Sequence, residues 1–314
     1  MHSYMDTFPF PYYMIVRDLN QLPLVLSDGL RQWFELVIIL ASTSAQLSKE
    51  EENKAFDDFL RDFNIRLGRA DNFEQRKKIF VDRFKLVEEH NSENSSYTLE
   101  INEFSHLSVA ELRKQKTGHV PQSFDDSEEI YDPPSIRQGR ASASFDWRQV
   151  SGVIRPVQNQ GNCRSCWAFA GIGAIEAQMT IKKKLNTKLS EQEIIECVRD
   201  WGVLRGCNGG YHWLVYDHAK NSRGVTTLNA NPYAATTTGK SCKSNLVRAP
   251  GSSVSGWELV PRNEAAVRDY LYTYGPLYVS FHVPADFYNY RKGIFHDLPE
   301  QCTGKRSDHA VLLV

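Results

Sequence analysis

Six cysteines, Cys163, Cys166, Cys197, Cys207, Cys242 and Cys302, all fall in the second half of this 314-residue chain, and residues 1–162 contain none. A cross-link forms only where two sulfurs can meet, so the clustering restricts the fold of the second half far more than that of the first. It predicts a disulfide-bearing C-terminal domain made in an oxidising compartment, preceded by a segment that needs no cross-links. The length is enough for two units of ordinary domain size. Lys plus Arg (37) nearly balance Asp plus Glu (38), giving a formal net charge of -1. That balance supplies no electrostatic reason to expect nucleic acid or an anionic membrane as partner. No apolar run reaches the roughly 18 residues that a membrane span needs.

Export calls for a targeting signal. The apolar run Trp33 to Ala41, followed by Thr43-Ser44-Ala45, has the form of an h-region and cleavage site, but Glu35 interrupts it. A buried strand or helix is the other reading, so residues 1–45 are taken as a possible signal or irregular N-terminus. From Glu50 the pattern is helical. Phe56, Leu60, Phe63 and Leu67 follow one face, and Gly68 offers a stop. Asp71 or Asn72 can cap a second helix whose apolar stripe is Phe73, Phe80, Phe84 and Val87. Tyr97 to Ile101 alternates like a short strand, and Ser108 to Lys116 is again helical. Residues 50–117 therefore form one unit, and 118–143, rich in Pro, Ser and acidic residues without apolar periodicity, form an extended linker open to proteases. Residues 144–314 make the second domain.

Within that domain the run Pro156 to Phe169 passes from loop to helix. Ala168, Ile172, Ile175 and Met179 share a face, and Lys182, Lys183 and Lys184 suit the negative end of the helix dipole. Cys166 then sits at the helix N-terminus, where unpaired backbone N–H groups favour thiolate over thiol. Gln160 lies six residues upstream. Its carboxamide, with the backbone N–H of Cys166, could receive the oxyanion formed when the thiolate attacks a peptide carbonyl. Taken alone, Cys163-x-x-Cys166 could also be half a zinc site or a redox pair; no second Cys-x-x-Cys accompanies it.

The run Gln160-Gly161-Asn162-Cys163-x-Ser165-Cys166-Trp167-Ala168-Phe169 resembles the active-site segment of the papain-like cysteine proteases, the cathepsins included. Leu189 to Glu193, Gly206 to Gly210, Gly275-Pro276, Gly293 to Phe295 and Asp308 to Val311 are similar to further family motifs. The 143 residues from Cys166 to His309 lie inside the family's roughly 130 to 150. The resemblance implies an α+β, two-lobed papain-like fold, a helical lobe and a β-barrel-like lobe with the cleft between, preceded by a helical inhibitory propeptide. Arg76, Phe80, Val87, Asn91, Asn102 and Phe104 fall on the propeptide motifs. Asn72, Arg83, Glu100 and His106 depart from them, which implies looser autoinhibition.

On this resemblance Cys166 is the nucleophile of a cysteine-type endopeptidase, His309 its base and Gln160 an oxyanion donor, with no metal or organic cofactor. Cys163 would pair with Cys207, and Cys197 with Cys242. Gly209 and Gly210 would present backbone to an extended substrate, and Tyr211 and Ser280 would line the pocket for its second residue. Arg164 stands where the family has Gly, near the first substrate pocket, and could bias against basic residues or favour acidic ones, or equally point to solvent. The implied partners are protein or peptide substrates and the chain's own propeptide, in a monomer that is lysosomal or extracellular through the secretory pathway. The family's third catalytic residue, an Asn in an Asn-Ser-Trp motif, has no counterpart after His309. The 314 residues as written are therefore expected to be inactive or unstable, and Cys302 lacks its usual partner. The alternative is a non-catalytic, propeptide-type inhibitor or decoy of related proteases.

Overall fold

The computed structural model describes residues 14–16, 48–68, 71–120, 144–200, 202–237, 242–243, 245–261, 263–296 and 305–314. The candidate signal at 33–45, linker residues 121–143 and Cys302 lie outside the described residues. Contacts divide the rest into two compact units. The first takes the described residues up to Glu111 together with those of Pro284–Thr303, and the second those of Leu112–Val283 and Gly304–Val314. No described helix is long and apolar enough to cross a membrane.

In the first unit, helix α1 (Lys49–Asp62) opens with a capping box: the Ser48 hydroxyl accepts from the Glu51 N–H, and the Glu51 carboxylate accepts from the Ser48 N–H. Helix α2 (Phe73–Ser92) is capped by the Asn72 carboxamide, which accepts from the Gln75 N–H at 3.1 Å. Phe56 and Phe59 of α1 are buried against Phe80 and Val81 of α2, with Phe59 and Phe80 stacked at 4.6 Å between centroids. Of the expected stripe, Phe56 is in this core and Leu60 and Leu67 pack against it, whereas Phe59, outside the stripe, takes the buried place expected for Phe63. Phe59 lies three residues after Phe56 and shares its face, while Phe63 and Phe73 remain about 40% exposed at the rim. Farther along α2, Val87 packs with Tyr97 and Leu99 of strand β2 (Tyr97–Leu99). Strand β6 (Tyr290–Phe295) lies in the middle of an antiparallel sheet, between β1 (Met14–Val16) and β2.

Each of the four departures from the propeptide motifs is accommodated in this unit. Asn72 is the helix cap, and Arg83 is buried and donates to the Ala285 carbonyl at 3.2 Å. Glu100 pairs with Arg291 at 2.7 Å, and the His106 ring lies 5.7 Å from that of Phe59. Arg76 forks onto both oxygens of Glu111 at 2.7 Å while also holding Asp71. Glu111 in turn accepts from the Ser108 backbone at the start of helix α3 (Val109–Lys116). The Arg76 fork pulls the Glu111 carboxyl down to about 2.

The second unit is built on helix α4 (Cys166–Lys183). Trp167, Ala168, Ile172, Ile175 and Met179 bury into a core with Leu189, Ile194, Ile195 and Val215. The face of α4 carrying Cys166, Ala170 and Gly173 bears only small side chains. Cys166 and Ala170 pack on Ala310, and Gly173 faces Leu312, both on strand β7 (His309–Leu313). Strand β7 pairs antiparallel with β5 (Leu277–Phe281), setting His309 opposite Phe281, while β3 (Arg199–Asp200) and β4 (Val203–Leu204) pair with each other. Small residues on one side of a helix thus bring the strand headed by His309 against the helix headed by Cys166.

Helix α5 (Glu191–Cys197) starts where the Ser190 hydroxyl accepts from the Glu193 N–H at 3.1 Å. The reciprocal half of the capping box suggested by Ser190 and Glu193 does not form. The Glu193 carboxylate turns instead to His218, Arg248 and the Thr226 N–H, where a buried charge gains a cation as well as donors. Disulfides join Cys163 to Cys207 and Cys197 to Cys242. Helix α6 (His212–Asn221) approaches α4 at Gly171, where an added Cβ would lie 2.8 to 2.9 Å from three side-chain carbons of Val215. Gly171→Ala is expected to cost about 1–3 kcal/mol of stability by overpacking. Urea unfolding checks this, with a lower midpoint at unchanged slope as the expected result.

Candidate active site

Ser165 precedes α4 without a side-chain cap, so the helix N-terminus is left to its own N–H groups and to what lies against them. What lies there is residues 116–120. The Gln160 carboxamide donates to the Lys116 carbonyl and to the Cys163 carbonyl, both at 2.8 Å. A ring N–H of His309 faces the same Lys116 carbonyl. The Lys116 ammonium reaches the Gly161 carbonyl and the Asn162 side chain, each at 3.0 Å. Arg164 Nε donates to the Thr117 carbonyl at 2.6 Å.

Beyond Thr117 the segment runs as a strand. Gly210 donates to the Gly118 carbonyl at 2.9 Å and accepts from Val120 at 3.0 Å, making a parallel bridge centred on His119. His119 donates its backbone N–H to the Asp308 carbonyl at 2.9 Å. No Cβ would fit on Gly118: it would fall 2.1 Å from the Arg164 carbonyl oxygen and 2.6 Å from its carbon. Gly209 is equally constrained, with φ of +94° and Gly118 O only 2.5 Å from where its Cβ would be.

Sequence periodicity could not show this, because residues 118–120 carry no apolar pattern and pair through their backbone. The segment is bound at the same place as Gln160, Cys166, Gly209, Gly210 and His309. The hydroxyls of Tyr211 and Ser280 each have a partner of their own. The Tyr211 hydroxyl donates to the Asp200 carboxylate and its ring lies 3.9 Å from that of Trp213. The Ser280 hydroxyl goes to Ser307 at 3.2 Å. The side chain met by His119 is instead Tyr278, whose hydroxyl is 3.1 Å from His119 Nδ1.

The Cys166 side chain is buried and that of His309 is partly buried in this arrangement. Burial pushes the Cys166 thiol up, against the backbone N–H groups of Ala310, Gly118, Trp167 and His119 around its sulfur. Burial also pushes the His309 imidazole down to about 4, with Asp308 and the Lys116 carbonyl pulling the other way. His309 Nδ1 is buried and has no hydrogen-bond partner among the described residues. Around the Asp308 carboxylate stand Arg113 at 3.8 Å, His282 at 3.5 Å and the Val283 N–H at 3.0 Å. Among the described residues no group of three or more His, Cys, Asp or Glu side chains could hold a metal ion.

The Lys116 carbonyl is met by the Gln160 carboxamide and the His309 imidazole, while Gly118 and His119 of the same segment lie against the Cys166 sulfur. The family model for papain family cysteine proteases matches residues 141–314, more than half of the sequence. The chain belongs to the papain family of cysteine proteases. A cathepsin propeptide inhibitor domain (I29) matches residues 56–112, so this is a proenzyme of that family. The protease is 35% identical to a viral cathepsin of Orgyia pseudotsugata multicapsid polyhedrosis virus over 82% of this chain and 76% of the relative. It is 31% identical to procathepsin L of Rattus norvegicus over 77% and 71%. Among solved structures, the digestive procathepsin L2 proteinase of the Tenebrio molitor larval midgut superposes with a TM-score of 0.71 at 29% identity, covering 83% of this chain and 84% of that one. The proenzyme thus has the α+β papain-like fold, and it is a cysteine-type endopeptidase with its propeptide in cis.

Proposed function

We propose that Cys166 is the nucleophile of this endopeptidase, His309 its general base and Gln160 an oxyanion donor, and that residues 116–120 hold the enzyme latent. The observation that carries the proposal is the Lys116 carbonyl, 2.8 Å from the Gln160 carboxamide and facing His309. It marks where a substrate carbonyl would lie. In the open enzyme His309 takes the Cys166 proton, and the thiolate adds to the scissile carbonyl. The oxyanion draws on Gln160 and the Cys166 N–H. His309 then protonates the departing amine, leaving a thioester. Water, deprotonated by His309, releases the acid and restores the thiol.

The inverted order of ionisation supports latency. A thiol pushed up and an imidazole pushed down cannot form the ion pair that attack requires, and both shifts stem first from burial. Removing the segment readmits water and reverses both. The two disulfides support passage through an oxidising compartment and a lysosomal or extracellular destination. We read the working form as a monomer, without nucleic acid or membrane as partner, on the balanced charge.

The test is covalent labelling by a peptidyl epoxide at acid pH, followed by peptide mapping. Wild type should be modified at Cys166, and Cys166→Ser should lose the adduct entirely. Equal labelling of the variant would remove Cys166 from its role.

A further inference from the structure

We propose that Arg164 makes this protease select an acidic side chain at the residue that supplies the scissile carbonyl, an inference that rests on the catalytic reading above. Two anchors fix the position. The Lys116 carbonyl at Gln160 marks where the scissile carbonyl lies, and the Gly118 carbonyl at Gly210 marks where the acyl side is held in a substrate that runs in the direction opposite to the segment, the direction that lets the segment lie in the site without being cut. Thr117 spans the gap between them, and Arg164 is the side chain that reaches it, through Nε to the Thr117 carbonyl at 2.6 Å. A substrate residue lying between the same anchors meets the same guanidinium.

The charge of Arg164 is uncompensated. The side chain is partly buried, and no Asp or Glu among the described residues pairs with it. Only Nε is engaged, by a neutral carbonyl, which leaves the two terminal amino groups of the planar fork without a protein acceptor among the described residues. A cation held half out of water without a counter-ion gains most from a carboxylate that arrives with the substrate, in a bidentate pair that a neutral amide cannot match. The latent state satisfies Nε with backbone and leaves the fork open. Its occupant is therefore specified as an anion.

The experiment measures second-order labelling of Cys166 in the acid-activated full chain at pH 5.5 by three peptidyl vinyl sulfones. They differ only in Glu, Gln or Arg at the residue joined to the warhead. Wild type should react with the Glu probe about tenfold faster than with its Gln isostere, and slowest with Arg. Arg164→Gly should bring the Glu and Gln rates together, and Arg164→Glu should favour the Arg probe. Equal Glu and Gln rates in wild type, or a Glu preference that survives in Arg164→Gly, would overturn the proposal while leaving Cys166 as the nucleophile. No labelling by any probe would overturn the catalytic reading, and this selectivity with it.

Discussion

Lowering the pH from 7 to 4 should expose Cys166, because residues 116–120 are held by groups that cannot be protonated without letting go. His119 is pushed down to about 4 by burial first and by the neighbouring His309 second. His212 is pushed down to about 4 in the same way, beside His119. A histidine depressed in the closed state and ordinary, near 6.5, in the released segment favours closure fully above pH 6.5. It withdraws that support as the pH falls toward 4. For His119 the difference is of the order of 3 kcal/mol, or about a hundredfold in the ratio of closed to open. Glu88, Glu176 and Glu191 are pushed up by burial and also take up protons as the pH falls, but none of them belongs to residues 116–120. Glu111 is held down to about 2 by Arg76, so its contribution to the first unit is present above its ordinary value of 4.5 and is lost only between there and pH 2. Thiol-probe labelling against pH should therefore rise steeply between about 6.5 and 4. His119→Phe, which keeps an aromatic ring beside Tyr278 but cannot titrate, should shift the rise to lower pH. An unshifted midpoint would assign the response to His309 and His212 alone.

Gly118→Val should open the cleft without acid. The Cβ would meet Arg164 backbone at 2.1 and 2.6 Å, and backbone tied to Cys163 and to the start of α4 cannot yield as a flexible side chain could. Overpacking of 1–3 kcal/mol or more corresponds to roughly a ten- to hundredfold increase in the open population, read as the same increase in the labelling rate at pH 7. The substitution lies in the segment itself and leaves Cys166, His309 and Gln160 in place. Loss of labelling at acid pH in this variant would show damage to the site and not release of the segment. Labelling at the wild-type rate at pH 7 would show that Gly118 is not what lets the segment lie down.

Legibility followed the physics of each feature. The stripe Ala168, Ile172, Ile175 and Met179 and the lysines beyond it placed the catalytic helix, because period and dipole are local properties of sequence. The motif around Cys166 carried the fold by resemblance. The register of α1 was less legible: Phe59 and Phe63 both follow Phe56 at helical spacing, and only the position of Phe80 decides which is buried. The Glu193 side chain went to His218 and Arg248 and not to its own helix end, a choice set by residues far along the chain. The hold of residues 116–120 was not legible at all. It depends on backbone hydrogen bonds to Gly210 and Asp308, which any residues could make, and on the space that Gly118 leaves open. Tyr278, which receives His119, gave no signal in the sequence.

The central claim is that a competent Cys166 site is present and is closed by residues 116–120. Its most direct test is site-resolved labelling of the intact chain with a peptidyl thiol probe, quantified by mass spectrometry at pH 7 and at pH 4.5. The account predicts an unmodified Cys166 at neutral pH and near-stoichiometric modification at Cys166 in acid, before any cleavage of the chain. Rapid labelling of Cys166 in the intact wild-type chain at pH 7, or none at either pH, would contradict it.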